Sequence, residues 1–199
     1  MSRALDFFFF IGSTYTYLAV SRIDDVAVRA GVSVRWRPFS VRAIMREHNN
    51  NPFTGKPSKM NYMWRDVERR AKRYAIPFRS IPPYPVDPDE LANRVASLAS
   101  LGGWCPEYTR AMYRAWFLEG QAPGDPEGLR RLLPQLGKDP DAVIAKANSQ
   151  EIRDRYTAET DAARNLGIFG SPTFAWGSEI FWGDDRLEDA IEWSKAHDD

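Results

Sequence analysis

The chain has 199 residues, 43% of them hydrophobic and 27% charged, a balance that suits one compact globular domain, or a small domain with an insertion, and excludes a disordered chain. Its 27 basic and 27 acidic side chains cancel, so no cationic excess points to nucleic acid and no polybasic cluster to a membrane surface. A single cysteine, Cys105, excludes an internal disulfide and zinc sites built on several thiolates. The N-terminus lacks a signal-peptide pattern, and its apolar run is too short to span a bilayer, so a cytoplasmic protein is expected.

Leu5 to Ile11 is apolar except for Asp6, the pattern of a strand covered on both faces. The run breaks at Gly12 and an amphipathic pattern starts at once, with Tyr15, Leu18, Ala19, Val26 and Ala27 as apolar positions and Gly31 as the stop. This predicts one helix whose N-terminus presents Ser13. Backbone N–H groups and the helix dipole favour an anion at such a place, and a hydroxyl there can hold a thiolate or a carboxylate. The plainer role for Ser13 is an N-cap. Val32, Val34 and Trp36 then alternate with Ser33, Arg35 and Arg37 up to Pro38, a second strand. Strand, helix, strand makes a βαβ unit with parallel strands.

Asn49 to Ser58 is a polar loop. Met60, Met63, Trp64, Val67, Ala71 and Tyr74 follow helical spacing up to Pro77, and a link with Pro82, Pro83, Pro85 and Pro88 comes next. Leu91, Val95 and Leu98 stop at Gly102-Gly103; Tyr108, Met112, Ala115 and Trp116 stop at Gly120. Asp125-Pro126 and Asp139-Pro140 each pair an N-cap with proline at the first helical position. A last long helix covers Ile152 to Leu166, and no strand is predicted between about residue 40 and residue 167. Pro172 to Trp176, a turn at Gly177-Ser178, and Glu179 to Trp182 form a predicted β-hairpin, followed by a helix through Leu187, Ala190 and Ile191. The expected class is therefore α/β: a βαβ half and a ββα half, residues 1–40 and 168–199, around an all-helical insertion, residues 41–167. Lone His48 and His197 suggest no metal site, Cys105 suggests a packed thiol, and Met60, Met63 and Trp64 suggest core. Phe39, Trp64 and Trp182 are candidates for an aromatic-lined pocket.

A βαβ half followed by a ββα half is the thioredoxin architecture, with a reactive group at the start of the first helix and a cis-proline opposite. Ser13 holds the first position. Pro172 is the candidate for the second, with an edge-strand proline as the alternative. Where a redox thioredoxin carries Cys-x-x-Cys, this chain has Ser13-Thr14-Tyr15-Thr16, so thiol–disulfide exchange is excluded. Four segments carry a closer likeness: Ser13 to Ala19; Asn50-Asn51-Pro52 with Pro57 to Met63 and Arg65-Asp66; Phe169 to Phe174; and Phe181 to Leu187. On these the chain resembles the 2-hydroxychromene-2-carboxylate isomerase family, which is related to DsbA and to the kappa-class glutathione transferases. Thr14 departs from the proline that the family usually places after the serine, and leaves an N–H at the helix start.

The resemblance implies a glutathione-dependent cis–trans isomerase of aromatic catabolism that acts on a small aromatic substrate as a homodimer. It implies that Ser13 holds the glutathione sulfur as thiolate and that the backbone of Ser171, before Pro172, pairs with the cysteinyl part. Asp184 and Asp185 match positions at the γ-glutamyl end, where a carboxylate suits an ammonium; either can also cap the last helix. Asn50 and Lys59 match positions near the tripeptide, Lys59 being otherwise a solvated surface lysine. The alternatives are a kappa-like transferase or peroxidase that consumes glutathione, and a thioredoxin-fold binding module without catalysis.

Overall fold

The computed structural model describes residues 4–197, and its one sheet among them has four strands in the order β2-β1-β3-β4. β1 (Leu5–Phe9) and β2 (Val34–Pro38) are parallel, with Phe7 opposite Trp36. β3 (Thr173–Trp176) runs antiparallel to β1, with Phe174 opposite Phe7, and β4 (Glu179–Trp182) closes a hairpin on β3. The alternation of a strand explains the phenylalanine run. Phe7, Phe9 and Ile11 enter one core, and Phe8 and Phe10 enter a second, on the opposite face, with Phe39, Val41, Ile44 and Ile168. Phe7 lies edge-on to Trp36 at 4.9 Å and stacked on Phe174 at 5.3 Å. Each such side chain, fully buried, contributes about 1.5–3 kcal/mol.

Between Phe9 and Val34 the structure has two helices, α1 (Thr14–Val20) and α2 (Ile23–Ala30), where the hydrophobic spacing predicts one. The break is local competition. The Ser21 hydroxyl bonds back to the Tyr17 carbonyl at 2.8 Å, and Arg22 leaves helical geometry to reach the Asp184 carbonyl and Glu188. α3 (Val41–Glu47) is a helix that its arginine-rich sequence does not announce. Ser40 caps it by accepting from the Ala43 N–H at 3.1 Å.

The remaining helices before the hairpin are α4 (Pro57–Arg73), α5 (Leu91–Leu101), α6 (Cys105–Glu119), α7 (Pro126–Leu132), α8 (Pro140–Ala147) and α9 (Gln150–Asn165). Among the described residues no strand lies between 39 and 172. Asp125 and Asp139 accept from N–H groups of the helices that follow them, as their Asp-Pro sequences predict. The link before α5 contains a cis Tyr84–Pro85 bond, which its prolines did not single out. α10 (Leu187–Ala196) packs back on β3 and α2. The helices between the two halves share the core of the sheet: Tyr17 of α1 stacks on Phe117 of α6 at 3.9 Å, and Trp64, Tyr108 and Trp116 belong to the same buried cluster as Phe7 and Phe9.

Candidate active site

β1 leaves the sheet at Phe10 and must reverse within three residues to start α1. Gly12 makes this possible: its φ is +133°, and a Cβ there would stand 2.5 Å from the Phe10 ring. Ser13 follows in extended conformation at the N-cap position, but its side chain caps nothing. Its hydroxyl instead donates to the carbonyl of Ser171 at 2.7 Å. The plain N-cap role is thus replaced by a contact across 158 positions of sequence. The Ser171–Pro172 bond is cis.

Ser171 is tied in turn to the other side of the turn. Its hydroxyl accepts from the Phe10 N–H at 2.9 Å and pairs with the Thr16 hydroxyl at 2.9 Å. The two serines, on opposite sides of the site, are therefore fixed by three hydrogen bonds, none of which sequence spacing reveals. Thr14, in place of the usual proline, is buried and donates its hydroxyl to Met63 Sδ at 2.9 Å, which holds α4 beside α1. Lys59 stands one turn before Met63 on α4, exposed, with its ammonium 5.8 Å from the centre of the Phe53 ring. Asn50 is exposed in the preceding loop, its N–H bonded to the Met45 carbonyl at 2.8 Å.

The two aspartates occupy different environments. Gly183, with φ +117°, donates its N–H to the Pro172 carbonyl at 2.9 Å, which anchors the 3₁₀ turn Asp184–Arg186 beside the cis-proline. Asp184 is 1% exposed and faces Arg70 Nη2 of α4 at 2.8 Å. Burial pushes its carboxyl up to about 6, against the opposing pull of Arg70 and Arg22. Asp185 is 42% exposed, with Arg186 at 3.4 Å and Arg70 at 3.7 Å. It lines a cavity of about 410 Å³ together with Asp66, Arg70, Arg73, Tyr74 and Glu188. Tyr15 of α1 donates to Asp66 at 3.0 Å, so this charged cavity abuts the same helix that Ser13 begins.

Of the three candidate pocket aromatics, two are core. Phe39 is fully buried edge-on to Phe8, and Trp64 is buried edge-on to Tyr84. Trp182 is 55% exposed, edge-on to the exposed Phe169 at 4.8 Å, and its indole lies directly against Gly170, one residue from Ser171. Cys105 is buried at the far end of α6, where burial pushes its thiol up to about 12. A thiol so placed is neither nucleophile nor redox partner.

Sequence reasoning missed Asn93, Tyr113, Thr16 and Arg70. Asn93 and Tyr113 reach the Phe10–Ser13 turn from α5 and α6. The signal available for Asn93 was a carboxamide, beside Arg94, in an otherwise apolar and small stretch from Leu91 to Ala99.

Comparison with known proteins bears on the fold and the family. The family described as DSBA-like thioredoxin domain matches residues 4–192. A 2-hydroxychromene-2-carboxylate isomerase of Sphingobium xenophagum is 30% identical over 192 residues, 94% of this chain and 96% of that protein. A solved structure of selenomethionyl 2-hydroxychromene-2-carboxylate isomerase superposes with a TM-score of 0.85 at 26% identity, covering 98% of this chain and 95% of that one. Glutathione S-transferase kappa 1 of Caenorhabditis elegans is 25% identical over 200 residues, 92% of this chain and 87% of that protein.

Proposed function

We infer the reaction from one premise: the chain belongs to the DSBA-like thioredoxin family and, within it, to the 2-hydroxychromene-2-carboxylate isomerases. It is an isomerase of that class, and we propose that it interconverts 2-hydroxychromene-2-carboxylate and trans-o-hydroxybenzylidenepyruvate, or a closely similar aromatic pair, with glutathione as cofactor. The observation that carries the reading is the Ser13 hydroxyl, 2.7 Å from the Ser171 carbonyl where β1 turns into α1, in a chain whose one thiol is buried elsewhere.

The donor set fits a tripeptide thiol. Ser13, a partly buried residue, offers a hydroxyl whose proton can turn from the Ser171 carbonyl to an anion, and α1 adds the N–H groups of its first turn, which have no partner within the helix. The Ser171 carbonyl, released by that turn, accepts a peptide N–H in the manner of an added strand beside Pro172. The cavity at Asp185 and Arg70 carries both signs of charge, as a γ-glutamyl end with its ammonium and carboxylate requires. Asp184 serves this end indirectly: being sealed against Arg70, it orients the guanidinium rather than meeting a ligand. Lys59 and Asn50 would meet the exposed end of the tripeptide. Glutathione in this place supplies the nucleophilic sulfur that lets a conjugated double bond rotate.

Ser13 then works as donor and not as nucleophile. Its O–H, with the first N–H groups of α1, stabilises negative charge on sulfur over the neutral thiol and so lowers the thiol pKa. The glutathione transferase relative supports the same cofactor. The exposed indole of Trp182, which stands beside Gly170, suits a flat aryl ring near the reacting bond. The reading also carries a cytoplasmic homodimer, checked by light scattering at twice the mass of one chain.

Incubation with 2-hydroxychromene-2-carboxylate and glutathione tests this directly. The expected result is conversion to the trans isomer with glutathione recovered in full. Stoichiometric consumption would make the protein a kappa-like transferase, and no calorimetric binding at millimolar glutathione would leave a binding module.

A further inference from the structure

The turn from Phe10 to Ser13 lies between two elements of the βαβ half, yet side chains of the inserted helices hold it. Asn93 of α5, fully buried, accepts from the Ile11 N–H through Oδ1 at 2.7 Å and donates through Nδ2 to the Ile11 carbonyl at 2.8 Å. Its second Nδ2 proton goes to Asp87 Oδ2 at 2.9 Å. That third bond fixes the amide, because a flipped side chain would point its oxygen at two acceptors and its NH₂ at a donor. Asp87 also accepts from the N–H groups of Ala92 and Asn93, so carboxylate, amide and turn form one chain of hydrogen bonds. From α6, the buried Tyr113 hydroxyl reaches the carbonyls of Phe10 at 2.9 Å and Ser13 at 3.0 Å. Burial holds this phenol well above the ordinary tyrosine range, so it remains the donor.

We propose that Asn93 and Tyr113 are positioning residues, which fix the turn so that the Ser13 hydroxyl stands against Ser171 in the geometry that receives an anion. The proposal rests on the reading of Ser13 as the group that holds the glutathione sulfur. Neither side chain touches the reacting atoms; Asn93 acts through the backbone before Gly12, and Tyr113 through the backbone on both sides of it. A turn that needs φ +133° at one residue has other conformations within reach, and two buried side chains that bond the backbone of Phe10, Ile11 and Ser13 remove them. The helical insertion thereby supplies the rigid support from which the Ser13 hydroxyl is aimed at Ser171.

The test uses Asn93→Leu and Tyr113→Phe, with Val95→Ala on α5 as a buried control that touches neither peptide. Amide hydrogen exchange in the free protein is expected to quicken about tenfold at Ile11 in the first variant and at Ser13 in both, beyond the change seen in the control. With glutathione bound, the ultraviolet absorbance of the thiolate is expected to titrate at higher pH than in the wild type. In the same variants kcat falls about 10- to 100-fold while KM stays within about threefold. Val95→Ala lowers the melting temperature and leaves the titration in place. Unchanged exchange at the turn overturns the clamp. A control that raises the thiol pKa as far as the two variants do overturns positioning in favour of general loosening. A wild type that binds no glutathione overturns the sulfur-site reading instead, while the exchange data still decide whether the turn is held. Should Asn93→Leu fail to fold, Tyr113→Phe, which removes one oxygen, decides the matter.

Discussion

In the Phe10–Ser13 turn, the N–H and carbonyl groups of Phe10, Ile11 and Ser13 all bond to groups from elsewhere in the chain or across the turn: Ser171, Asn93, Tyr113 and one another. In the Asn49–Ser58 loop, the bonds are short-range. Thr54 N–H meets Asn51 Oδ1, Lys56 Nζ meets the Asn51 carbonyl, and Lys56 N–H meets the Phe53 carbonyl, with most side chains in solvent. The contrast follows what the proposed function asks of each. Stabilising a charge on one atom needs donors already in place before the reaction, because reorganising them costs what their field would gain. Recognising the charged ends of a flexible tripeptide needs only complementary charge, which solvated side chains provide weakly and without much order. Asp184 and Asp185 repeat the division within two residues: one sealed with Arg70, the other open.

Substitutions at the ordered end are expected to cost most. Ser13→Ala should lower kcat by about 100- to 1000-fold, the usual loss when one donor to a developing anion is removed, with the fold intact and the melting temperature lowered only slightly, since the side chain caps no helix and makes one bond, to Ser171. Wild-type turnover in that variant would erase the distinction between the two ends. The buried carboxylate gives a pH signature. Its pKa of about 6 in the folded chain lies above its ordinary value, so the folded state binds more protons than the unfolded state between about pH 4 and 6. Stability from this group therefore falls as pH rises through that window. The melting temperature of the wild type, taken relative to Asp184→Asn, should decline from pH 4 to above pH 6; a flat difference would mean that Asp184 is not sealed. At the open end, Asp185→Asn should raise the glutathione dissociation constant about two- to fivefold by calorimetry, since an exposed ion pair contributes at most about 1 kcal/mol. Lys59→Ala should do less, about twofold, and that small effect should vanish in high salt. A tenfold loss at Lys59 would show that the exposed end is more ordered than its solvent exposure implies.

What the sequence reveals follows the range of the forces involved. Phe7 to Ile11, Gly12, Asp125-Pro126, Asp139-Pro140 and Gly177-Ser178 announce a strand, a turn, two caps and a hairpin because the physics is local to a few residues. The Ser13 and Pro172 positions were legible through their motifs. The helix break at Ser21-Arg22 was not, because Arg22 is drawn out by partners more than 160 positions away. The contacts that hold the turn were hidden for the same reason: nothing near Asn93 states that Ile11, 82 positions earlier, will need both a donor and an acceptor. Trp64 and Trp182 are alike in composition and opposite in fate, since only packing decides which one water reaches.

The burial of Cys105 has a practical consequence. With its thiol raised to about 12 and its one neighbouring hydroxyl on Thr109, the protein offers alkylating agents and peroxides no reachable sulfhydryl of its own. On the proposed function, inactivation by thiol-specific reagents would then point to the added tripeptide, and fresh tripeptide should reverse it. The protein can be purified and stored without reductant, and, on the proposed function, the chemistry of the borrowed sulfur can be followed against a background with no exposed protein thiol.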